Sequence, residues 1–262
     1  MTKIQKARVR LAVESRYSRF ASEGYRGGCC GIPDDRLPAL AREVSLGCGS
    51  PLRFARLEGD MTVLDLGCGG GIDAFAAAEK LGESGRVIGI DSTSKMVTRA
   101  RRAALANHYT NVEFRTGDME SLPVPSNVGD LIISNCAVNL ATNKRRVYAE
   151  MHRVLKKGGR LIISDIVSDV PIPSRVRGNA DKWSRCIAGA LTARGLRRLL
   201  SITGFTDFEV LEKKVWNKGK EDGLSLSSMT FTATKPYPIL PRYHKLRGKT
   251  CFAWTSLPRE KG

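Results

Sequence analysis

A glycine-rich run in this chain could bind a nucleoside. The residues VLDLGCGGG occupy positions 63–71, after a predicted strand and at the start of a predicted helix. Glycines let the backbone turn tightly and approach a ligand with no Cβ in the way. Asp91 ends the next predicted strand, where its carboxylate can accept both hydroxyls of a ribose. Ile72 stands where a dinucleotide motif has its third glycine. The glycine turn together with Asp91 would suit NAD or an adenosine-containing donor.

Two further polar positions extend this pocket. Asp65 precedes the glycine turn, where a carboxylate can hold a ligand ammonium through water. The triplet GDM at residues 117–119 follows the third predicted strand, where a side chain and a backbone amide can read an adenine edge. In this order the positions resemble the class I S-adenosylmethionine-dependent methyltransferases. The resemblance implies S-adenosylmethionine contacts from Asp65, Gly67, Gly69, Gly71, Asp91, Ser92, Met96, Gly117, Asp118, Met119 and Asn135.

Cysteines occupy three places that the predicted fold brings to one edge of the sheet. Cys136 follows the fourth predicted strand in the sequence SNC, Cys48 lies in GCG near the N-terminus, and Cys186 begins CIAGAL after the fifth strand. An open α/β sheet binds its ligands at the carboxyl ends of its strands, so Cys136 lies close to the expected methyl donor. None of the three histidines stands at the end of a core strand. This edge therefore lacks an imidazole base.

These cysteine motifs resemble those of the arsenite methyltransferases. The similarity runs from about residue 15 to 210 and includes RVLKKGGR at 153–160. It implies that Cys48, Cys136 and Cys186 bind trivalent arsenic as the substrate, with the last two as the minimal pair. Arsenic in this state is thiophilic and its lone pair is a nucleophile, so no general base is required. Zinc would be expected to use four ligands and short cysteine spacings.

The thiols must ionise to bind arsenic, and methyl transfer formally oxidises it. A nearby Lys or Arg would favour ionisation by lowering the thiol pKa values. The resemblance places the family's redox cysteine at Cys29 or Cys30. We expect one of them, with Cys30 as the catalytic candidate, to form a disulfide with Cys48 in each turnover, which thioredoxin or glutathione then resolves. Cys68 and Cys251 are interpreted as packing residues.

The sequence departs from the family pattern at three places. Ser92 follows Asp91 where the family has Met-Thr, which alters a donor contact. Residues 142–144 read TNK in place of an Asp-Lys pair, and the Gly-Tyr motif before GCG is missing. Two other functions therefore stay open. One is methylation of another small molecule or RNA with structural cysteines, and the other is metalloid binding or regulation without catalysis.

The elements that position these residues alternate between short apolar runs and helical patterns. This alternation predicts a Rossmann-like α/β fold with a mostly parallel sheet and helices on both faces. The methyltransferase resemblance implies seven strands. Predicted strands cover residues 62–66, 86–91, 112–115, 130–135, 160–165, 208–211 and 229–234, and predicted helices cover 72–80, 94–106 and 144–155. We divide the chain into an N-terminal cap (1–60), a donor-binding core (61–166), a substrate-side insertion (167–205) and C-terminal strands with a basic tail (206–262).

The composition indicates an ordinary globular protein. Hydrophobic residues make up 42% and charged residues 26% of the chain, and no apolar run approaches the ~18 residues of a membrane helix. The seven cysteines are an odd number without framework spacing, and no apolar signal segment follows the basic N-terminus. We expect a cytoplasmic monomer without membrane contact.

The formal net charge of +17 is the one unusual property of the composition. Such a charge can mark a nucleic-acid surface. The basic residues are widely spread, however, and only 6% of residues are aromatic, so no stacking platform is evident. We favour a solvated basic surface, with nucleic-acid binding not excluded.

Overall fold

The centre of the molecule is a seven-stranded sheet. The structure, a computed structural model, describes residues 1–25, 36–221, 223–238, 240–246 and 249–255. The strands are β1 (Thr62–Leu66), β2 (Arg86–Asp91), β3 (Val112–Thr116), β4 (Gly129–Asn135), β5 (Leu155–Ser168), β6 (Thr206–Glu221) and β7 (Leu224–Thr234). Their order is β3-β2-β1-β4-β5-β7-β6, and of these seven only β7 runs antiparallel to its neighbours. The predicted Rossmann-like fold of the class I methyltransferases is confirmed.

Helices cover both faces of this sheet. They are α1 (Lys3–Glu23), α2 (Ala39–Arg42), α3 (Ile72–Leu81), α4 (Ser94–Ala106), α5 (Lys144–Val154), α6 (Ser174–Arg177), α7 (Ala180–Ser184) and α8 (Ala193–Ile202). Strands β8 (Leu240–Leu246) and β9 (Lys249–Thr255) form a separate antiparallel pair. Within the described ranges, every helix is too short or too polar to cross a lipid bilayer.

The core consists of two apolar layers because the central strands are buried on both faces. One layer packs Tyr148 and Met151 of α5 and Leu200 of α8 against the sheet. The opposite layer packs Phe75 of α3 and Ala100 of α4. Burying each large apolar side chain contributes about 1.5–3 kcal/mol relative to leaving it exposed. These layers hold the carboxyl ends of β1, β2 and β4 in place.

The structure corrects three predicted elements. Strand β5 was predicted over 160–165 but begins at Leu155, because α5 ends at Val154 and Gly158 donates a backbone hydrogen bond to Lys235 O at 2.8 Å. The segments predicted at 208–211 and 229–234 are parts of a longer hairpin formed by β6 and β7. The basic C-terminal tail, for which no element was predicted, contains β8 and β9.

The segments before β1 and after β5 lie at the carboxyl edge of the sheet. Helix α1 packs against α7 and α4, and the guanidinium of Arg99 on α4 donates hydrogen bonds to Leu40 O at 2.6 Å and Ala21 O at 3.1 Å. The N-terminal segment is therefore fastened to the donor-binding core, over the edge where ligands of such sheets bind.

Candidate functional site

A cavity of about 320 Å³ opens at the carboxyl ends of β1, β2 and β4. Most of the predicted donor-binding residues line it: Asp65, Gly67, Gly69, Asp91, Ser92, Gly117, Asp118, Met119 and Asn135. Gly71 and Met96 do not. Gly71 directly precedes α3, at a point where a Cβ would lie 2.7 Å from the Phe114 ring. Met96 is fully buried against the N-terminal segment. Both serve packing in this structure.

The glycine turn and Asp91 form one hydrogen-bonded unit. Gly69 has a φ of 52°, and the position of its missing Cβ has nothing within 4 Å. Its N–H donates to Asp91 Oδ2 at 2.9 Å, and the N–H of Thr93 donates to Oδ1 at 2.8 Å. Burial raises the pKa of Asp91 above its ordinary value. The two amides orient this carboxylate at the cavity wall, and the absent side chain leaves space for a ligand.

Two buried carboxylates give the cavity a preference for a cation. Asp65 Oδ2 and Asp73 Oδ1 are buried without a hydrogen-bond partner among the described residues. Burial and the adjacent Asp73 raise the pKa of Asp65 well above its usual range, and burial raises the pKa of Asp73 to about 6. A cationic ligand would relieve both effects, since an unpaired buried charge is costly. The residues present therefore fit S-adenosylmethionine, which carries an ammonium and a sulfonium.

Sequence reasoning missed Asp73. It lies in the first turn of α3, directly after the glycine turn. An acidic residue in a first turn is commonly explained by the helix dipole, which hides a second role. A carboxylate that follows a nucleoside-binding turn by two residues is the signal that could have revealed it.

Three cysteines converge beside the donor cavity, and we refer to Cys48, Cys136 and Cys186 as the thiol cluster. The Sγ atoms of Cys48 and Cys136 lie within 4.8 Å of each other and of a carboxylate oxygen of Asp165. The Cys186 thiol donates a hydrogen bond to Cys136 O at 3.0 Å. Cys48 and Cys186 are buried, and half-buried Cys136 lines the cavity. Segments far apart in sequence thus bring three sulfurs to one place.

The sequence GCG lets Cys48 lie directly on the sheet edge. A Cβ on Gly47 would lie 2.5 Å from Asn135 Nδ2, and one on Gly49 would lie 2.6 Å from the Ser164 side chain. The N–H of Cys48 donates to Asn135 Oδ1 at 3.0 Å. Larger residues on either side of Cys48 would push its loop away from the other sulfurs.

Cys136 and Cys186 both have left-handed backbone conformations. Their φ angles are 58° and 63°, and such a conformation costs a residue with a side chain about 1–2 kcal/mol. Strain of this kind persists where the surrounding structure imposes it, as is common at functional sites. Here Asn139 contributes, because its amide donates to Cys186 O at 3.3 Å and to Ile166 O at 2.7 Å.

Two members of the thiol cluster, Cys48 and Cys136, favour the protonated form in the free protein. Burial raises the pKa of Cys48, and hydrogen bonding with Cys186 and Cys48 raises the pKa of Cys136 well above its usual range. A cation is present: Lys144 Nζ donates to Ala141 O at 3.0 Å and lies 5.2 Å from the centre of the Trp183 ring. The expected lowering of the pKa is not found at Cys48 or Cys136, because burial raises the first value and hydrogen bonding raises the second.

Two other residues of the site were not predicted. Asp165 is buried, and burial raises its pKa to about 7. Tyr17 of α1 lines the donor cavity and packs against the apolar residues around the thiol cluster. Cys29 and Cys30 lie outside the described residues, and Cys68 packs in the core beneath the glycine turn.

Comparisons with known proteins agree with this arrangement. A family described as a methyltransferase domain matches residues 57–220. The chain is 37% identical over 260 residues to the arsenite methyltransferase of Halobacterium salinarum, across 87% of this chain and 66% of that protein. It is 35% identical over 184 residues to the human arsenite methyltransferase, across 65% of this chain and 48% of that protein. The chain thus spans about half to two thirds of these relatives.

Solved structures show the same fold. The crystal structure of CrArsM, an arsenic(III) S-adenosylmethionine methyltransferase from Chlamydomonas reinhardtii, matches with a TM-score of 0.70 and 30% identity over 89% of this chain and 75% of that one. The YcgJ protein of Bacillus subtilis matches with a TM-score of 0.59 at 19% identity over 71% of this chain and 97% of that one, which is a likeness of fold alone. The similarity to arsenite methyltransferases predicted from the cysteine motifs is confirmed. The chain belongs to the methyltransferase-domain family, with the fold of the class I S-adenosylmethionine-dependent enzymes.

Proposed function

We propose that this chain methylates trivalent arsenic bound by the thiol cluster, with S-adenosylmethionine as the donor. One observation carries the proposal: Cys136 lines the donor cavity, the Cys48 sulfur lies within 4.8 Å of the Cys136 sulfur, and the Cys186 thiol lies 3.0 Å from the Cys136 carbonyl. The names of the arsenite methyltransferase relatives support the same substrate. When bound, S-adenosylmethionine supplies a methyl group attached to a positively charged sulfur.

Separate sets of residues bind the donor and the acceptor in this proposal. Asp65 and Asp73 would hold the positive charge of the donor, and Asp91 would accept hydrogen bonds from the ribose hydroxyls. The three thiolates hold arsenic as a pyramid whose lone pair is the nucleophile. Since that lone pair carries no proton, the site needs no general base. Burial of the thiol cluster excludes water from the reacting atoms.

The thiol protons leave when arsenic binds. Arsenite carries hydroxyl groups, and each thiol that replaces one transfers its proton to the departing oxygen to form water. Bound arsenic therefore takes the place of the proton on each sulfur, and the raised thiol pKa values of the free protein do not prevent binding. The same exchange makes arsenite affinity sensitive to the number of thiols, so removing one should weaken it strongly.

Turnover also requires a reductant. Each methyl transfer removes two electrons from arsenic, which two thiols can return by forming one disulfide. Our proposal includes a disulfide between Cys48 and either Cys29 or Cys30, resolved by thioredoxin or glutathione. This part is supported by the spacing in sequence, since Cys48 follows the cysteine pair by fewer than 20 residues.

The test is mass spectrometry of the products formed from arsenite, glutathione and methyl-labelled donor. We expect labelled methylarsenic species from the unaltered chain and none from Cys136→Ser, while donor binding measured by calorimetry is retained. Cys251→Ser, on strand β9, is the matched control and should keep full activity. Full arsenite activity in Cys136→Ser would refute the assignment of the site.

Other outcomes identify the rival functions. Donor binding without any arsenic product would point to another small molecule or to RNA as the acceptor. RNA binding would then fall steeply with added salt. Absence of donor affinity together with tight arsenite binding would point to a metalloid-binding protein without catalysis.

A further inference from the structure

The thiol cluster has an acidic neighbour that arsenic chemistry does not use. Asp165 is buried on β5, and one of its carboxylate oxygens lies within 4.8 Å of both Cys48 Sγ and Cys136 Sγ. Two sulfurs and one carboxylate from separate segments thus surround one point. We propose that Cys48, Cys136 and Asp165 also form a binding site for Zn²⁺, and that this cation competes with trivalent arsenic.

The donor set matches the coordination preferences of zinc. Zn²⁺ takes thiolate and carboxylate ligands in a tetrahedron, with bonds of about 2.3 Å to sulfur and about 2.0–2.2 Å to oxygen. Those bonds place neighbouring donor atoms about 3.6–3.8 Å apart. The three donors lie within 4.8 Å of one another, so a contraction of about 1 Å, within reach of small side-chain rotations, completes the geometry. A water from the donor cavity, which Cys136 lines, provides the fourth ligand.

The carboxylate is already oriented for this role. The N–H of Asn139 donates to Asp165 Oδ2 and the N–H of Ile166 donates to Oδ1, each at 2.8 Å. One amide on each oxygen leaves further lone pairs available. A metal ligand held by backbone donors in this way loses little conformational freedom on binding.

The local charge also suits a divalent cation. Zn²⁺ displaces the protons of the two thiols into solvent as it binds. Two thiolates and one carboxylate then carry three negative charges, which Zn²⁺ reduces to one. Lys144 stands close by, with its ammonium bonded to Asn139 O at 3.2 Å and Ala141 O at 3.0 Å. The positive charge of Lys144 offsets the one negative charge that remains on the zinc-bound group.

Arsenic and zinc would use different members of the same group. Trivalent arsenic is soft, prefers sulfur to carboxylate oxygen, and keeps a lone pair where a fourth ligand would be. The Cys186 thiol bonds to Cys136 O at 3.0 Å, and Cys186 is not among the side chains whose donor atoms all lie within 4.8 Å of one another. Because arsenic prefers sulfur, its third ligand would be Cys186, whereas the third ligand of zinc would be Asp165. Both need Cys48 and Cys136, so the two ions exclude each other.

Cobalt titration of the full, reduced chain without donor or arsenite tests this site, because tetrahedral Co²⁺ bound to thiolates absorbs visible light. We expect absorption that saturates at one equivalent and is abolished by Zn²⁺. Asp165→Asn should weaken Co²⁺ binding roughly tenfold or more, whereas Cys186→Ser should leave it nearly unchanged. Asp169→Asn, an exposed aspartate paired with Lys213, is the matched control and should bind Co²⁺ like the unaltered chain. No saturable absorption, or equal Co²⁺ affinity in Asp165→Asn, overturns the proposal.

Donor binding reports whether each variant is folded, since Asp165 does not line the donor cavity. If Asp165→Asn fails to bind donor, Asp165→Ser replaces it in the same titration. Arsenite added to the cobalt form should remove the absorption, and persistence of the signal beside bound arsenite overturns the shared site. A separate titration with arsenite alone keeps the two proposals apart. If Co²⁺ binds but arsenite does not, the proposed function fails and the zinc site stands.

Discussion

The side chain of Asn135 links Cys48 to the donor cavity. Its oxygen accepts hydrogen bonds from the N–H groups of Cys48 at 3.0 Å and Gly49 at 3.3 Å, and its amide donates to Gly49 O at 2.8 Å. The same amide donates to Asp73 Oδ2 at 3.1 Å. One residue at the end of β4 thus contacts both the loop that carries Cys48 and the buried carboxylate of Asp73.

Substituting Asn135 should weaken arsenite binding more than it weakens donor binding. Asn135→Ala leaves several buried polar groups unpaired, so we expect a loss of about 2 kcal/mol in the free energy of unfolding. Arsenite affinity should fall about tenfold or more, because the Cys48 loop loses its anchor. Calorimetric titration with arsenite and with donor measures the two affinities, and chemical denaturation measures the free energy of unfolding. Asn107→Ala, whose amide bonds to Ala103 O at the end of α4, is the control. Equal arsenite affinity in the two variants would contradict this role.

Gly189, three residues after Cys186, should tolerate no side chain. A Cβ on Gly189 would lie 1.9 Å from Asn139 O, and that backbone cannot move without shifting the bonds of Asn139 to Cys186 and Asp165. We expect Gly189→Ala to lower the free energy of unfolding by about 1–3 kcal/mol and to weaken arsenite binding. Chemical denaturation checks the first effect. Gly178→Ala, whose Cβ would meet Ser174 O at 3.4 Å, should change stability by less than about 0.5 kcal/mol.

Donor affinity should depend on pH through Asp73. Its pKa in the free protein is about 6, and a cationic ligand binds the ionised form. Binding should therefore weaken as the pH falls through 6 and level off above it. Calorimetry between pH 5 and pH 7 measures this curve. Asp73→Asn should bind donor more weakly at pH 7, with a flatter curve. A pH-independent affinity in the unaltered chain would show that Asp73 does not face the donor.

The left-handed backbone at Cys136 predicts a difference in stability between two variants that both lack the sulfur. Glycine adopts this conformation freely, whereas alanine is strained by about 1–2 kcal/mol. Glycine also loses more entropy on folding, by about 0.5–1 kcal/mol. We expect Cys136→Gly to be more stable than Cys136→Ala by about 0.5–1 kcal/mol, measured by thermal unfolding. The opposite order would show that the cysteine backbone is not held in this conformation in solution.

The sequence predicted the elements whose boundaries are set locally. The glycine turn ends β1 and begins α3, so β1 was placed at both ends, and β2 and α4 were placed as well. Strand β5 was misjudged because Gly158 and Gly159 resemble the end of a helix. Their inclusion in the strand depends on hydrogen bonds with Lys235, a pairing distant in sequence that no local pattern reveals.

The site was predicted in the same uneven way. The cysteines were found because each lies in a distinctive motif. Asp165 was visible at the predicted end of the fifth strand but was given no role, since its proximity to Cys48 depends on how the N-terminal loop folds back. The protonated state of the thiols was also beyond reach, because burial of Cys48 and its contact with Cys136 exist only in the folded chain.

The hydroxyl of Ser228, on the antiparallel strand β7, donates a hydrogen bond to Cys48 O across 180 residues of chain. On the ribosome, Cys48, Cys136 and Cys186 are all synthesised before this serine exists. The hydrogen bond to the Cys48 carbonyl can therefore form only once the antiparallel strand has been made and inserted between β5 and β6. A nascent chain that ends before β7 lacks this tie, so of the two side chains Asn135 and Ser228 only Asn135 holds its Cys48 loop to the sheet edge.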